Sequence, residues 1–181
     1  MIKLAIIGTS GRNPQDGAKL LNFHMQWMAE NVLCYIEHIL KTTTDNIILV
    51  SGGSAWADHV AVQLYLEYNF GGLELYLPTN FDIIQKKYAD TYEGLMLNIL
   101  HMQCKEKIHV DVLNELAEAI SKKTTKVIVK KGVFQKNSLI SKNCDHLICF
   151  IFGQTISGGG SYDTWKKTKH QNKTLLDLSC T

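Results

Sequence analysis

Residues 46–58 read NIILVSGGSAWAD, and this stretch holds the pattern that decides the fold. It is apolar at every position from 47 to 50, and two glycines and a segment with helical spacing follow. A run that is apolar throughout, rather than alternating, is typical of a strand buried on both faces of a parallel sheet. The stretch therefore predicts a strand over 46–53, a tight turn and a helix over 55–69.

Further predicted strands and helices alternate along the rest of the chain. Five further runs are rich in apolar residues and are predicted as strands: 2–8, 73–78, 125–131, 145–152 and 173–179. Helical spacing fills most of the intervals, at 17–41, at 82–122 with irregular boundaries, and at about 161–170. Strands that alternate with helices predict one α/β domain over residues 1–181, in which helices cover both faces of a mostly parallel central sheet of about six strands.

Composition narrows the class of protein. A formal net charge of +2 over 181 residues is too small to indicate a surface that binds nucleic acid or membrane. No apolar run reaches the roughly 18–20 residues that a membrane span requires, and the first residues do not read as a signal peptide. The five cysteines are odd in number and lack C-x-x-C spacing, which indicates reduced thiols. We therefore expect a soluble, cytoplasmic protein.

Three glycine-rich stretches directly follow predicted strands, at the edge where open parallel sheets bind ligands. The first is GTSGR (8–12), which offers an anion free backbone N–H groups, two hydroxyls and the guanidinium of Arg12. It matches neither G-x-G-x-x-G nor the P-loop pattern. Taken alone, it fits a plain strand-to-helix connection as well as it fits an anion site.

The second stretch is SGGSAWAD (51–58). Its glycines allow a tight turn, and Ser54 is predicted to cap the following helix, whose amino-terminal N–H groups favour an anion. Asp58 falls in the first turn of that helix, where it either stabilises the helix dipole or accepts a hydrogen bond from a ribose hydroxyl. His59 beside it is interpreted as a packing residue rather than a catalytic base.

The third stretch is SGGGSYD (157–163), in which Ser161 is predicted to cap a helix and Asp163 to lie in its first turn. Three such turns at one edge favour an anionic ligand over plain connections. Asn137 opens a further short helix, with Lys131 and Lys136 as additional positive charges. The predicted ligand-binding residues are Gly8, Thr9, Ser10, Arg12, Ser51, Gly52, Gly53, Asp58, Asn137, Gly158, Gly159, Gly160 and Ser161.

Other kinds of site are not indicated. HMQC (101–104), with His109 and Asp111, contains metal-ligand residue types, but it reads as helical and no second spaced pair accompanies it. No G-x-S-x-G elbow is present, and the sequence does not pair any cysteine with a histidine as a nucleophile. We predict no metal and no cofactor.

The order of these motifs resembles the SLOG superfamily of Rossmann-like domains. GTSGR, SGGSAWADHVA, LYLP, KNSLISKNCDHLICF and GGGSYDTW follow one another as in its small standalone YspA-like members, over nearly the whole chain. The resemblance implies a Rossmann-like three-layer sandwich that binds a nucleotide or a nucleotide-derived ligand. Relatives in that superfamily include lonely-guy (LOG) phosphoribohydrolases, sensors of ADP-ribose-like signals, and DprA, which handles single-stranded DNA.

The resemblance assigns ligand contacts position by position and also shows departures. The matched positions are Gly8, Ser10, Arg12, Gly52, Gly53, Asp58, Asn137, Gly159, Gly160 and Ser161. Lys136 stands where the superfamily has arginine, which weakens bidentate anion recognition. Trp56 stands where the family has a glycine before its Ala-Asp pair, so we expect it to crowd or stack on a ligand. The phosphoribohydrolases carry a glutamate where this chain has Thr164.

Three functions follow from these patterns. The first is binding of a nucleotide or nucleotide-derived small molecule by a sensor or sequestering protein, and it is favoured because no acid–base pair is evident. The second is hydrolysis of the N-glycosidic bond of nucleoside monophosphates, with Asp163 or Asp58 as the catalytic carboxylate. The third is binding of single-stranded nucleic acid through late lysines and Trp165, which the mild net charge disfavours.

Large apolar residues in the 17–41 helix further predict a homodimer through that helix: Phe23, Met25, Trp27 and Met28.

Overall fold

The computed structural model describes all 181 residues and contains eight strands and seven α-helices. The strands are β1 (Ile2–Gly8), β2 (Ile47–Ser51), β3 (Gly72–Leu77), β4 (Phe81–Asp82), β5 (Lys87–Tyr88), β6 (Thr125–Val129), β7 (His146–Ile151) and β8 (Lys173–Asp177). The helices are α1 (Pro14–Lys19), α2 (Asn22–Tyr35), α3 (Ala57–Glu67), α4 (Tyr92–Ile108), α5 (Val112–Ser121), α6 (Val133–Lys142) and α7 (Gly159–Lys167). A π-helical segment, Ile36–Leu40, extends α2, and 3₁₀ turns lie at Thr44–Asn46 and Leu178–Cys180. None of the helices combines the length and the apolar character that crossing a membrane requires.

Six strands form one parallel sheet in the order β6–β3–β2–β1–β7–β8, and β4 pairs with β5 in a separate antiparallel hairpin. From β1 the chain builds outward to β6, and it then returns to the other side of β1 with β7 and β8. The strand order therefore reverses between β1 and β7, where Gly8 is paired with Phe150. In open parallel sheets, such a switch point forms the crevice in which ligands bind.

Apolar side chains cover both faces of the sheet. A cluster of 32 buried residues packs between the sheet and helices α2 to α5, and a cluster of 8 lies on the other face, under α6 and α7. Strand β1 contributes Ile6 to the first cluster and Ile7 to the second. Burial on both faces explains why the strand sequences are apolar throughout. The predicted fold, a Rossmann-like three-layer sandwich with a six-stranded parallel sheet, is confirmed.

The predicted helix over 17–41 is broken at Leu20 into α1 and α2. Leu20 is fully buried and has an extended backbone, and Lys107 of α4 donates hydrogen bonds from its ammonium group to the carbonyl oxygens of Gly17 (2.5 Å) and Leu20 (2.8 Å). These bonds satisfy carbonyl groups at the end of α1 that have no intrahelical partner. Because Lys107 is 87 positions from Leu20, local helical spacing does not indicate this break.

Most large apolar side chains of α2 are used within the chain itself. Met25 and Met28 are buried in the core and Trp27 is half-buried, whereas Phe23 is exposed. Of the four residues from which a dimer through this helix was predicted, only Phe23 is exposed and available to a second copy.

The region 82–122 contains strand β5 of the small hairpin and the helices α4 and α5. Thr91 caps α4 by accepting the N–H of Gly94 (3.1 Å), and Asp111 caps α5 by accepting the N–H of Asn114 (3.1 Å). Helix α4 packs one apolar face into the core and exposes a second one: Tyr92, Leu95, Ile99 and Met102. Because apolar residues lie on both faces, the sequence shows no clear helical period there.

Candidate functional site

A cavity of about 470 Å³ lies at the carboxyl edge of the sheet, beside the switch point. It is lined by the segments that follow β1, β2, β3, β6 and β7, and helix α4 forms the remaining wall. The structure thus brings together all three glycine-rich stretches, as their positions after parallel strands predict. The polar lining consists of Gly8, Ser10, Arg12, Ser54, Asp58, Glu93, Lys136, Asn137, Gly159, Gly160, Ser161 and Thr164.

Arg12 gives the cavity a positive charge that no other side chain neutralises. It is the only arginine of the chain, it is exposed, and it follows the turn at the end of β1. No carboxylate lies within ion-pair distance of its guanidinium. A guanidinium in this position is free to bind a carboxylate or phosphate in bidentate fashion.

The third glycine stretch places a helix amino terminus in the cavity wall. Gly158 (φ 72°) and Gly159 (φ 76°) adopt left-handed conformations, so the helix begins at Gly159 with Gly158 at the cap position. The predicted cap by Ser161 is therefore wrong, because Ser161 lies inside the first turn and donates its hydroxyl to the carbonyl of Gly8 (2.6 Å). The first N–H groups of a helix have no intrahelical acceptor, and Gly159, Gly160 and Ser161, which begin α7, line the cavity.

The second glycine stretch carries a buried acid rather than a serine cap. Helix α3 begins after Trp56, which has a positive φ of 60°, and no side chain caps it. The predicted cap by Ser54 is wrong: the Ser54 backbone N–H donates to Oδ2 of Asp58 instead (3.3 Å). Trp56 is 2% exposed and packs under Gly11, so it neither crowds nor stacks on the contents of the cavity.

Two buried charged groups converge over Gly52. Asp58 is 7% exposed and Lys136 is 8% exposed, and both line the cavity. A Cβ on Gly52 would lie 2.6 Å from Asp58 Oδ2 and 2.6 Å from Lys136 Nζ, so these two atoms are at most twice that distance apart. No direct ion pair joins them, and the one hydrogen bond of the ammonium group goes to the carbonyl of Gly52 (3.3 Å).

Burial pushes both groups toward their neutral forms. It raises the pKa of Asp58, and the nearby charge of Lys136 opposes that shift. It lowers the pKa of Lys136, and the nearby charge of Asp58 opposes that shift in turn. Because each group favours the charged form of the other, their protonation states are coupled.

Of the two predicted catalytic carboxylates, only Asp58 lines the cavity. Asp163 is held outside it by an ion pair with Lys167 (2.8 Å) and by a hydrogen bond from the side-chain amide of Asn137 (3.2 Å). Thr164 lies at the cavity, and its hydroxyl donates to the carbonyl of Gly160 (3.1 Å). The second carboxylate in the lining is Glu93, which the sequence reasoning missed because it lies in the irregular 82–122 region.

Five predicted ligand-binding residues do not line the cavity: Thr9, Ser51, Gly52, Gly53 and Gly158. Instead, they shape the turns. The Thr9 hydroxyl accepts the N–H of Gly11 (3.2 Å). The Ser51 hydroxyl donates to the carbonyl of Asp58 (2.8 Å) and accepts the N–H of Gly53 (3.1 Å), which fixes the turn that carries Asp58. Lys131 likewise lies outside the lining.

The cavity also has an apolar lining, which the sequence did not indicate. Its residues come mainly from α4 and α6: Tyr92, Met96, Leu97, Leu100, Val133, Phe134 and Ile140, with Ile7 and Pro78 from the sheet edge. In the sequence these residues look like ordinary core positions, because only the tertiary fold shows which of them border empty space. The cavity therefore combines charged and hydrogen-bonding groups with apolar side chains, and helices α4 and α6 contribute residues of both kinds.

Trp165, which the nucleic-acid hypothesis requires for base stacking, is used within the chain. Its ring packs against the smaller core cluster and lies 4.7 Å from the ammonium group of Lys173. Trp165 is therefore a half-buried packing residue rather than an exposed platform for base stacking.

Comparison with known proteins gives one relative over the full length. The chain is 46% identical over 178 residues to the uncharacterized protein R261 of Acanthamoeba polyphaga mimivirus, and the match covers 98% of this chain and 97% of that protein. No protein-family model and no solved structure matches the chain. The name of the viral protein states neither a ligand nor a reaction.

Proposed function

The chain belongs to the family of the mimivirus protein R261, and from the chemistry of its cavity we propose that it binds a nucleotide or a nucleotide-derived small molecule. The observation that carries the proposal is a single cavity at the switch point of a parallel sheet, whose lining combines anion-binding groups with apolar side chains. A sensor or a sequestering protein requires this binding and no turnover.

The phosphate occupies the side formed by Arg12 and the start of α7. Two independent anion-binding groups line the cavity: a guanidinium without a partner, and Gly159 and Gly160, whose N–H groups have no acceptor within α7. The glycines have no side chains to keep a phosphate away from these N–H groups.

The base contacts the apolar side chains of the lining. A cavity of about 470 Å³ lies within the range of about 300–1,000 Å³ that is usual for small-molecule sites. Tyr92 and Phe134 line the cavity and are both more than two-thirds exposed, and Lys167 Nζ lies 5.6 Å from the centre of the Phe134 ring, so Tyr92 is the better ring for stacking on a base. The carboxyl of Asp58 and the side-chain oxygen of Asn137 are polar partners for ribose hydroxyls. The same ligand class is implied by the resemblance to the SLOG superfamily.

Thermal stabilisation tests the proposal. AMP, ADP-ribose and cyclic AMP should be added separately at millimolar concentration, and at least one of them should raise the unfolding temperature, because a ligand that binds the folded state stabilises it. If none of the three shifts the transition, the proposed ligand class is wrong.

Replacing Arg12 tests whether its guanidinium binds the phosphate. Arg12→Gln should weaken binding of the stabilising nucleotide on the order of tenfold to a hundredfold, because hydrogen bonds to charged groups contribute about 1.5–3 kcal/mol each. Lys123→Gln is the matched control, since Lys123 is an exposed cation outside the cavity lining. Calorimetric affinities that are equal for the two variants would show that the phosphate lies elsewhere.

A second candidate function is hydrolysis of the N-glycosidic bond of a nucleoside monophosphate. It is favoured by the presence of two carboxyl groups, Asp58 and Glu93, in the cavity lining, and by the raised pKa of Asp58, which suits a proton donor to a leaving base. Chromatography of AMP incubated with the protein should then detect adenine. Asp58→Asn should abolish this release, whereas Asp163→Asn should retain it because Asp163 is paired with Lys167 outside the cavity.

The proposed oligomeric state is a homodimer, and its interface belongs on α4 rather than on α2. The exposed residues Tyr92, Leu95, Ile99 and Met102 follow one another at spacings of three, four and three, which is the spacing of a helix-pairing seam. A helix that is apolar on both faces is expected to be covered on both. Tyr92 also borders the cavity, so a second copy on this face would lie beside the site.

A further inference from the structure

Lys136 is held in an unusual state for a lysine. It is the one lysine of the chain that is buried, it lines the cavity, and its Nζ makes a single 3.3 Å hydrogen bond to the carbonyl of Gly52. Lysines that serve as structural cations at this depth are normally paired with a carboxylate in direct contact. Here the carboxyl of Asp58 is close to the amine but does not touch it, and both groups lie over Gly52, where any side chain would collide with them.

This arrangement has the parts of a carbonyl-capturing site. A nucleophilic amine must be neutral, must reach the ligand and must have a proton donor beside it for the oxygen that leaves. Lys136 and Asp58 both line the cavity, and Nζ of Lys136 and Oδ2 of Asp58 each lie 2.6 Å from the position that a Cβ of residue 52 would take. The Asp58 carboxyl is itself positioned by the N–H of Ser54 (3.3 Å).

We propose that Lys136 is a nucleophile that captures the carbonyl carbon of a phosphorylated aldehyde, such as the open-chain form of an aldose phosphate, as an imine, with Asp58 transferring the proton. The phosphate of this ligand rests on the proposed nucleotide function, because it uses the anion-binding side of the same cavity. The capture itself rests only on Lys136, Asp58 and Gly52.

The step balances without an added reagent. The Nζ lone pair forms a bond to the carbonyl carbon, and the carbonyl oxygen takes a proton from the carboxyl of Asp58. The nitrogen returns one proton to the resulting carboxylate, and Asp58 then donates it to the hydroxyl group of the carbinolamine. The C–O bond breaks, one water leaves, and the C=N bond forms. A protonated imine and the carboxylate of Asp58 remain as an ion pair.

The protonation of the two groups agrees with this sequence. Burial lowers the pKa of Lys136 and raises that of Asp58, so the neutral amine and the protonated carboxyl are both favoured relative to exposed groups. Once the imine has formed, the buried ion pair provides each charge with an opposite one nearby. A lysine that only attracts phosphate has no need of a proton donor.

Reductive trapping on the full chain tests the proposal. The protein is incubated with ribose 5-phosphate and sodium cyanoborohydride, which donates hydride to the imine and makes the adduct permanent. Intact-protein mass spectrometry should show one added pentose phosphate, and peptide mapping should place it on Lys136. Adducts spread over exposed lysines, with no preference for Lys136, would overturn the proposal without any variant being needed.

Variants test whether the amine of Lys136 is the nucleophile. Lys136→Arg keeps a long basic side chain but lacks the nucleophilic amine and should lose the adduct, whereas Lys131→Arg, an identical change at an exposed lysine outside the lining, should label like the wild type. Asp58→Asn should leave the adduct on Lys136 but slow its formation on the order of 100-fold, as expected when a positioned proton donor is removed. A rate unchanged by Asp58→Asn would contradict its role in proton transfer. Circular dichroism confirms that each variant is folded.

A second probe distinguishes failure of this inference from failure of the proposed function. Propanal carries an aldehyde and no phosphate. Labelling of Lys136 by propanal but not by ribose 5-phosphate supports the capture and contradicts the phosphate site. Labelling by neither probe, while AMP still stabilises the protein, overturns the capture and leaves nucleotide binding in place.

Discussion

Ser161 donates a 2.6 Å hydrogen bond from its hydroxyl to the carbonyl oxygen of Gly8, across 153 positions of the chain. The bond joins the first turn of α7 to the end of β1, the two segments that flank the switch point of the sheet. It therefore holds two of the three glycine-rich stretches at a fixed distance. The glycine stretch that follows β7 is not a loose turn, because its helix is tied to the central strand.

Ser161→Ala should loosen this connection. Loss of the hydroxyl leaves the Gly8 carbonyl without its partner, so we expect a decrease of about 1 kcal/mol in the free energy of unfolding, with weaker nucleotide binding. Ser161→Thr keeps the hydroxyl and should be close to the wild type. Ser157→Ala is the control, since Ser157 is exposed. Urea denaturation checks the stability, and equal values for the Ser161→Ala and Ser157→Ala proteins would contradict the prediction.

Gly52→Ala should disturb the buried pair. The new Cβ would lie 2.6 Å from both Asp58 Oδ2 and Lys136 Nζ, so at least one of these groups must move. Gly52 does not have a positive φ, so the cost comes from overpacking and not from backbone strain, and we expect it to be about 1–3 kcal/mol. Urea denaturation measures the loss.

Making the Gly52→Ala change in a Lys136→Ala protein tests whether the loss of stability comes from the contact with Lys136. Lys136→Ala removes one of the two obstructing atoms, so the effect of Gly52→Ala should be smaller in the Lys136→Ala protein than in the wild type. A loss of the same size in both backgrounds would mean that the Cβ of residue 52 does not act through Lys136.

The polar half of the site is predictable from the sequence, and the apolar half is not. Parallel strands end at the same edge, so GTSGR, SGGSAWAD and SGGGSYD are expected to meet once the strands are recognised. The convergence of Asp58 and Lys136 depends on the space above Gly52, which no pattern of residue types expresses. The apolar lining consists of residues such as Met96 and Leu100, which are indistinguishable in the sequence from core residues.

The fold, like the site, is only partly predictable from the sequence. Six apolar runs predict six strands of a parallel sheet, because burial on both faces leaves a local signal in each strand. The break at Leu20 depends on Lys107 from a distant helix, and the bounds of α4 are hidden because both of its faces are apolar. The local spacing of apolar residues therefore indicates neither the break at Leu20 nor the bounds of α4.

The exposed stripe of α4 predicts a dimer that one charge should disrupt. Ile99 lies in the middle of the stripe and is about half exposed, so Ile99→Lys leaves the core unchanged and places a charge in the seam. Light scattering during size-exclusion chromatography should show a dimer for the wild type and a monomer for Ile99→Lys. Ile39→Lys, at an exposed isoleucine outside α4, is the control and should remain dimeric. A monomeric wild type at micromolar concentration would contradict the prediction.

His101 should make the protein sensitive to acid. Its ring is fully buried on α4, facing the rings of His59 (6.1 Å between centroids) and Tyr88 (5.8 Å). Burial, and secondarily the nearby charge of His59, lowers its pKa from 6.5 to about 3. A base whose pKa is lower in the folded state contributes stability that is complete above pH 6.5 and is lost as the pH falls toward 3.

Variants that lack the titrating ring test whether His101 causes this loss of stability at low pH. One group that takes up a proton only on unfolding changes the free energy of unfolding by at most about 1.4 kcal/mol per pH unit. In His101→Gln the amide can still donate to the carbonyl of Leu97, which the ring contacts at 2.7 Å, but it does not titrate. Urea denaturation at pH 7 and pH 4.5 should therefore show a smaller loss for His101→Gln than for the wild type. His38→Gln, at an exposed histidine, should lose as much as the wild type, and an equal loss in all three proteins would assign the acid sensitivity to other groups.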